Sequence, residues 1–262
     1  MRNILVTIMY DGKNFHGWQI QNNAVTVQEE FQKALKSVIG TVPDIKGCSR
    51  TDSGVHANRY CVSFRTEHTI PCERLTAALN RFLPSSIAAL SAEEVSEDFH
   101  ARYSCLGKEY IYQIWNSEIR NPFLDGYALH YWYPLDEKLL NEAAQYFVGR
   151  HDFTSFCTVD NSRRKGDFHR TVRHMSVRRD GHMVTITIEA DGFLYNMVRI
   201  IVGTLLLVAQ GKVLPEQIPA MINALDRSAA GPTAPPQGLY LNKVIYRKGS
   251  NSDEENQRTL SE

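Results

Sequence analysis

The chain has 262 residues and a mass of 29.8 kDa, which suits either one large domain or two smaller ones. Hydrophobic residues make up 43% and charged residues 22% of it, and these proportions exclude collagen-like, low-complexity and wholly disordered chains. The 29 basic and 29 acidic residues cancel, so the net charge does not indicate an anionic partner.

The first half of the chain alternates strand-like and helix-like runs, which predicts a mixed α/β fold. Its predicted elements are, in chain order, a strand over 4–9, a helix from the capping residue Thr26 to Gly40, a strand over 59–66, a helix over 72–82 ended by Pro84, and a strand over 107–115. Alternation predicts that Cys61 and Ser63 lie on the outer side of a half-buried strand. In the same way it places Tyr110, Tyr112 and Ile114 on one common face.

The second half shows a similar ordering without a fixed sequence repeat. Its predicted elements are a helix over 136–147 closed by Gly149, strands near 168–178 and 183–190, a long helix over 193–210, and a last strand near 241–246. We place the boundary between the halves near 127–134, which gives domains 1–130 and 131–248. Residues 249–262 are mostly polar and acidic, which predicts a disordered tail.

The cysteine spacing and the apolar stretches indicate the cellular compartment in which the protein works. The five cysteines include no C-x-x-C pair, which argues against a disulfide framework or a zinc site and favours a reducing compartment. The N-terminus lacks a signal-peptide pattern, and the longest apolar stretch, 200–209, is too short to span a bilayer. The sequence therefore predicts a cytoplasmic protein with no membrane contact.

One stretch of the body is strongly basic. Residues 163–179 contain a single acid and seven basic residues, namely Arg163, Arg164, Lys165, Arg170, Arg173, Arg178 and Arg179. Such a cluster attracts phosphate groups, although an ordinary solvated loop and strand has the same composition.

The segment 47–57, GCSRTDSGVHA, is the most unusual in the chain. It places Arg50, Asp52 and His56 among small residues that allow tight turns and open access to a carboxylate. The alternative is a polar turn in which Asp52 only accepts hydrogen bonds from nearby amides. No phosphate-cradling glycine motif is present in this segment.

This segment resembles the R-T-D-x-G-V-H-A signature of the tRNA pseudouridine synthase A family. Further family-like motifs occur in the same order, namely YDGKNFHGWQIQ at 10–21, FHAR at 99–102, KEYIY at 108–112, GRHDFTSF at 149–156, DGFLYNMVRIIVGTL at 191–205 and APPQGLYL at 234–241. The resemblance spans roughly residues 4 to 246. The chain departs from the family pattern at Cys48, Ser49, Ser53 and Tyr60, without removing the expected chemistry.

The resemblance implies isomerisation of uridine to pseudouridine in tRNA, in the anticodon stem-loop and typically at positions 38 to 40, with no cofactor and no metal. It also implies a homodimer, and an α/β fold of two similar halves whose largely antiparallel sheets join into one mixed sheet. Helices would lie on one side of that sheet and a basic RNA-binding cleft on the other. The alternatives are a paralogue acting on another RNA, such as ribosomal RNA, and a non-catalytic RNA-binding protein or chaperone.

The resemblance further implies three catalytic residues. Asp52 is the nucleophile, because a carboxylate can bond covalently to the substrate and then leave. Arg199 keeps that carboxylate ionised, and on a helix it shares a face with Asn196 and Gly203. Tyr110 lies against the uracil and takes part in proton transfer. The structural alternatives are a salt bridge for Arg199 and core packing for Tyr110.

Substrate binding is assigned to Arg50, Tyr110, His56 and Leu241. Arg50 would clamp a phosphate or fill the space left by the extruded base, and Leu241 would give the uracil an apolar wall or simply pack in the core. Phosphate contacts are assigned to Arg163, Arg164, Lys165, Arg170 and Arg173. We expect Phe15 and Trp18 to pack in the core, and His100 and His151 to serve as hydrogen-bonding framework.

Overall fold

The computed structural model describes residues 1–158 and 166–247, so Arg163, Arg164, Lys165 and the acidic tail lie outside the described residues. The chain divides into two compact units. Among the described residues, the N-terminal unit comprises Met1–Leu106 with 243–247, and the central unit comprises the rest of the chain from Gly107 to Asn242. This division differs from the boundary that we place near 127–134, because the strand that begins at Gly107 pairs along its length with a strand of the central unit.

The N-terminal unit is built from a sheet and two helices. Its elements are β1 (Arg2–Tyr10), α1 (Val27–Ile39), β2 (Lys46–Gly47), β3 (His56–Thr66), α2 (Cys72–Phe82) and β4 (Ile87–Val95). Strand β1 pairs antiparallel with β3 on one side and β4 on the other, and β2 pairs antiparallel with β3. The predicted strands and helices are confirmed, whereas β2 and β4 had no counterpart among the predicted elements.

The ends of α1 follow from the residues at its boundaries. The Thr26 hydroxyl accepts a hydrogen bond from the Glu29 amide at 3.4 Å, and Gly40 adopts a left-handed conformation with φ of +76°. Val27, Phe31 and Leu35 are fully buried, as their helical spacing predicts.

The outer side of β3 is covered, contrary to the half-buried strand that alternation predicts. Cys61 and Ser63 are buried together with the inner residues. The Ala101 amide donates to the Ser63 hydroxyl at 3.0 Å, and the Tyr246 hydroxyl donates to the Ala101 carbonyl at 2.7 Å. Chain that is distant in sequence therefore lies over this face.

The central unit repeats the mixture of sheet and helices. Its elements are β5 (Gly107–Asn116), β6 (Leu129–Tyr131), α3 (Glu137–Gln145), β7 (Gly149–Asp152), β8 (His169–Asp180), β9 (Met183–Ala190), α4 (Met197–Ala209), α5 (Ile218–Asn223) and β10 (Leu239–Ile245), the last of which ends beyond Asn242. Strands β5, β9, β8 and β7 pair antiparallel in that order, and β6 pairs parallel to β5. The mixed α/β class with a largely antiparallel sheet is confirmed.

Two helices of the central unit are shorter than the sequence predicts. Helix α3 ends at Gln145, and Gly149, predicted to close it, has φ of +117° and begins β7. Helix α4 begins only at Met197, because Asn196 is left-handed with φ of +63° and cannot continue a right-handed helix backwards. None of the helices that the structure describes is long and apolar enough to traverse a bilayer.

Candidate active site

The connection between β2 and β3, residues 48–55, is the candidate catalytic segment, and we call it the Asp52 loop. The Val55 amide donates to the Asp52 carbonyl at 3.2 Å, which makes a tight turn around Ser53 and Gly54. Asp52 is half-buried and Arg50 is exposed. The loop therefore presents both side chains at least partly to solvent.

The backbone of the Asp52 loop is held by residues 10–18, which we call the opening segment. The Trp18 amide donates to the Thr51 carbonyl and the Gly54 amide donates to the Phe15 carbonyl, each at 3.2 Å. The Tyr10 and Thr51 hydroxyls lie 2.8 Å apart and are buried. Asp52 is thus fixed from both sides, at Thr51 and at Gly54, by chain more than thirty residues earlier.

Two glycines of the opening segment permit this close approach. A Cβ atom on Gly12 would overlap the Val55 carbonyl, and one on Gly17 would overlap the Thr51 carbonyl. Gly17 also has φ of +86°, a conformation that other residues rarely adopt. Phe15 and Trp18 are buried, which confirms the expectation that they pack in the core.

Tyr60, one of the departures from the family pattern, supports the residue before Arg50. Its hydroxyl donates a short hydrogen bond to the Ser49 carbonyl, and its ring stacks on Trp18 with centroids 4.2 Å apart. A side chain on Gly47 would collide with that hydroxyl.

His56 begins β3 immediately after the Asp52 loop and is only 1% exposed. Its Nδ1 atom accepts a hydrogen bond from the Gly12 amide at 3.0 Å and lies 3.2 Å from the Asp11 Oδ1 atom. The sequence analysis assigned His56 to the substrate, and the structure places its Nδ1 against protein groups of the opening segment.

Tyr110 lies on β5 in the central unit and is 6% exposed. Its ring meets Phe193 edge to face, with centroids 5.0 Å apart. Tyr112 and Ile114 share its buried face, as alternation predicts. The Tyr112 hydroxyl donates to the Pro235 carbonyl at 2.8 Å, and burial raises the pKa of Tyr112, an effect that Arg199 partly opposes.

Arg199 lies in the first turn of α4, and hydrogen bonds hold its guanidinium. Nε donates to the Ala234 carbonyl at 2.7 Å, and Nη1 donates to the Asn196 Oδ1 atom at 2.9 Å. The Ala234 amide donates in return to the Arg199 carbonyl at 3.0 Å. The orientation of this cation is therefore set by the segment before β10 and by Asn196, the residue that precedes α4.

Gly203 provides room for that segment. A Cβ at Gly203 would overlap the Pro232 carbonyl, and the nearby Gly231 amide donates to the Thr204 hydroxyl at 2.9 Å. Backbone at Pro232 therefore occupies the space beside Gly203. Leu241, on β10, is fully buried.

The described part of the basic cluster does not form one patch. Arg170 donates to the Asp167 carbonyl at 3.0 Å, and Arg173 lies 3.6 Å from a Glu189 carboxylate oxygen at an irregularity of β8. Arg179 is bound by Glu137 at 2.7 Å. Arg170 and Arg179 are nine residues apart on one strand, about 30 Å at the rise of an extended chain. Arg170 and Arg173, in the N-terminal part of β8, remain candidate phosphate contacts.

Two histidines serve the framework as expected. His100 Nδ1 accepts from the Arg102 amide at 3.1 Å, and burial lowers the pKa of His100. His151 Nε2 lies 3.1 Å from the Val148 carbonyl oxygen.

The residues that hold the site were not predicted from the sequence. Gly12, Gly17 and Tyr10 fix the Asp52 loop, and Ala234 fixes Arg199. The two glycines between aromatic residues were a visible signal of close packing, whereas nothing in the sequence pairs Ala234 with Arg199.

Most of the chain matches known proteins and one family model. Residues 6–104 and 143–247 match a family model described as tRNA pseudouridine synthase. The chain is 47% identical over 246 residues to tRNA pseudouridine synthase A of Thermoanaerobacter sp. (strain X514). It is 45% identical over 246 residues to the protein of that name from Acetivibrio thermocellus. Each alignment covers 94% of this chain and 100% of the relative. A Clostridium perfringens protein named tRNA pseudouridine synthase A 2 is 45% identical with the same coverage. A solved structure, of a Cbf5-Nop10-Gar1 complex, aligns with a TM-score of 0.34 and 10% identity over 77% of this chain and 53% of that chain, too low to support an argument.

Proposed function

Because this chain belongs to the tRNA pseudouridine synthase family, we propose that it isomerises uridine to pseudouridine in the anticodon stem-loop of tRNA, with Asp52 as the nucleophile. Within that loop, we propose positions 38 to 40 as its targets. The observation that carries the proposal is the Asp52 loop, whose R-T-D-S-G-V-H-A sequence is clamped at Thr51 and Gly54 while Asp52 keeps access to solvent. A preorganised carboxylate of this kind suits covalent catalysis.

The reaction balances without a cofactor. The N1–C1′ bond of uridine breaks, the uracil turns, and a C5–C1′ bond forms. C5 then loses its proton and N1 gains a proton, so the product is an isomer of the substrate. Asp52 bonds to the substrate in between and is released unchanged. No electrons enter or leave, so proton transfer and a nucleophile are sufficient.

Tyr110 and Arg199 act in the same reaction under this proposal. Tyr110 offers an aromatic plane and a hydroxyl that can move the proton between carbon and solvent. Arg199 supplies a fixed positive charge, which lowers the free energy of a buried carboxylate and of negative charge developing on the uracil. Its hydrogen bonds to Ala234 and Asn196 support this role, because they orient the guanidinium before substrate arrives.

Substrate contacts complete the proposal. Arg50, which is exposed beside Asp52, contacts a phosphate or fills the gap left by the extruded nucleotide, and Leu241 contributes apolar packing. Arg163, Arg164, Lys165, Arg170 and Arg173 bind phosphates, so affinity for RNA falls steeply as salt rises. The resemblance to the family supports a homodimer and a cytoplasmic location.

The test is conversion of unmodified tRNA transcripts by purified protein without added metal or nucleotide. Wild type should form pseudouridine in the anticodon stem-loop, and Asp52→Asn should form none while binding tRNA with wild-type affinity. Asp44→Asn is the matched control, since this exposed carboxylate pairs with Lys46 on the preceding segment. Its activity should equal that of wild type.

Three outcomes would contradict the proposal. Activity in Asp52→Asn would remove Asp52 from the mechanism. Binding of tRNA by wild type without product would favour the RNA-binding protein or chaperone. Conversion of ribosomal RNA but not tRNA would identify a paralogue with another substrate.

A further inference from the structure

We propose that His56 is a positioning residue, which fastens the Asp52 loop to the opening segment through its Nδ1 atom and does not contact the substrate. The proposal rests on the function proposed above, since its kinetic effect is exerted through Asp52.

The hydrogen bond at Nδ1 defines the state of the ring. The Gly12 amide has only a proton to offer, so Nδ1 accepts with its lone pair and the ring proton resides on Nε2. Both Gly12 and His56 are buried, so water cannot replace this bond. The Gly12 amide would lose its acceptor if Nδ1 were removed.

This bond adds to the attachment of the Asp52 loop on its C-terminal side, where the Gly54 amide already donates to the Phe15 carbonyl. At the N-terminal side of Asp52, Thr51 is bound by Trp18 and Tyr10. At the C-terminal side, the chain passes through Val55, which lies directly against Gly12, to His56. Both ends of the loop are therefore tied to one segment, and a carboxylate held at both ends loses little freedom before it attacks.

The Asp11 carboxylate lies beside His56 Nδ1 and would bind any group there that donates a proton. Its Oδ1 atom accepts from the Lys13 amide at 2.9 Å and lies 3.2 Å from the same Nδ1 atom. A neutral acceptor at Nδ1 leaves the Gly12 amide bound, whereas a donor at that position would turn toward Asp11. The replacement residue must therefore present a lone pair at the position of Nδ1.

Two substitutions separate the two ring nitrogens. In His56→Asn the amide oxygen is attached to Cγ, as Nδ1 is, and can accept from Gly12. In His56→Gln the polar atoms lie one bond further out, near the position of Nε2. We expect His56→Asn to keep kcat within about threefold of wild type, and His56→Gln to lower it about 10- to 100-fold with KM changed less than about threefold, as loss of a buried hydrogen bond predicts.

The control is His16→Gln, the same substitution at an exposed histidine of the opening segment, and it should leave kcat and KM unchanged. Urea unfolding of each variant shows that the protein is folded under assay conditions. Amide hydrogen exchange at Gly12 reports the bond without any activity. It should be slow in wild type and His56→Asn and faster in His56→Gln.

The outcomes distinguish the roles. Activity retained in His56→Gln and lost in His56→Asn would assign the function to Nε2 and overturn the proposal. A raised KM with unchanged kcat would make His56 a substrate contact, and wild-type kinetics in both variants would remove it from positioning. An inactive wild type would refute the proposed function, and the exchange of the Gly12 amide would then decide the positioning role alone.

Discussion

Gly17→Ala tests whether the opening segment holds the Asp52 loop. The new Cβ would approach the Thr51 carbonyl oxygen far inside the 3.0 Å limit of real Cβ contacts, so one of the two segments must move by roughly 1 Å. Gly40→Ala is the matched control, because Gly40 has a similar φ of +76° and nothing within 4 Å of its Cβ position. Both variants share the backbone strain, and only Gly17→Ala adds the overlap.

The magnitudes follow from those contacts. A left-handed alanine costs about 1–2 kcal/mol in either variant. In Gly17→Ala, weakening the bond from the Trp18 amide to the Thr51 carbonyl and straining its neighbours adds about 1–2 kcal/mol. Displacement of a catalytic group by about 1 Å lowers the rate about 100-fold, so kcat should fall by that order in Gly17→Ala and remain unchanged in Gly40→Ala.

Urea unfolding measures the loss of unfolding free energy, and pseudouridine formation in unmodified tRNA measures kcat. Equal losses of unfolding free energy in the two variants, together with wild-type kcat in Gly17→Ala, would refute the reasoning. A loss of stability without a loss of kcat would show that the opening segment supports the fold but does not position Asp52.

Gly203→Ala gains about 1 kcal/mol of helix propensity, but its Cβ collides with the Pro232 carbonyl. We therefore expect lower stability in urea, and a lower kcat because Arg199 loses its fixed orientation. A variant more stable than wild type would mean that the segment yields without cost. Tyr60→Phe removes the hydroxyl that donates to the Ser49 carbonyl and should lower the free energy of unfolding by about 1–3 kcal/mol. An unchanged urea midpoint would contradict this expectation. Thr26→Ala removes the cap of α1 and should lower the free energy of unfolding by about 1 kcal/mol with kcat unchanged. A lower kcat with wild-type stability would contradict a purely structural role of Thr26.

Several features could be predicted because their causes are local. Thr26 and Gly40 bound α1 through contacts within a few residues, and alternation placed Tyr110 and Tyr112 on one buried face. The motif around Asp52 was visible in the same way, since its residues are contiguous. The family resemblance depended on these short stretches alone.

Features that depend on distant chain could not be predicted. Alternation left Cys61 and Ser63 on an outer face, yet Ala101 and Tyr246 cover it. Helix α4 was predicted too long because Asn196 adopts a left-handed conformation. Its side-chain Nδ2 donates to the Thr158 hydroxyl at 3.0 Å.

The helix caps, the alternation of the strands and the nucleophile candidate were predictable, because each depends on neighbouring residues. The contact of Gly17 with the Thr51 carbonyl, the hydrogen bond from Gly12 to His56 Nδ1 and the orientation of Arg199 by Ala234 became visible only in the folded chain. Such pairings join residues that are tens of positions apart, and their free energy arises only once packing has brought the backbones together.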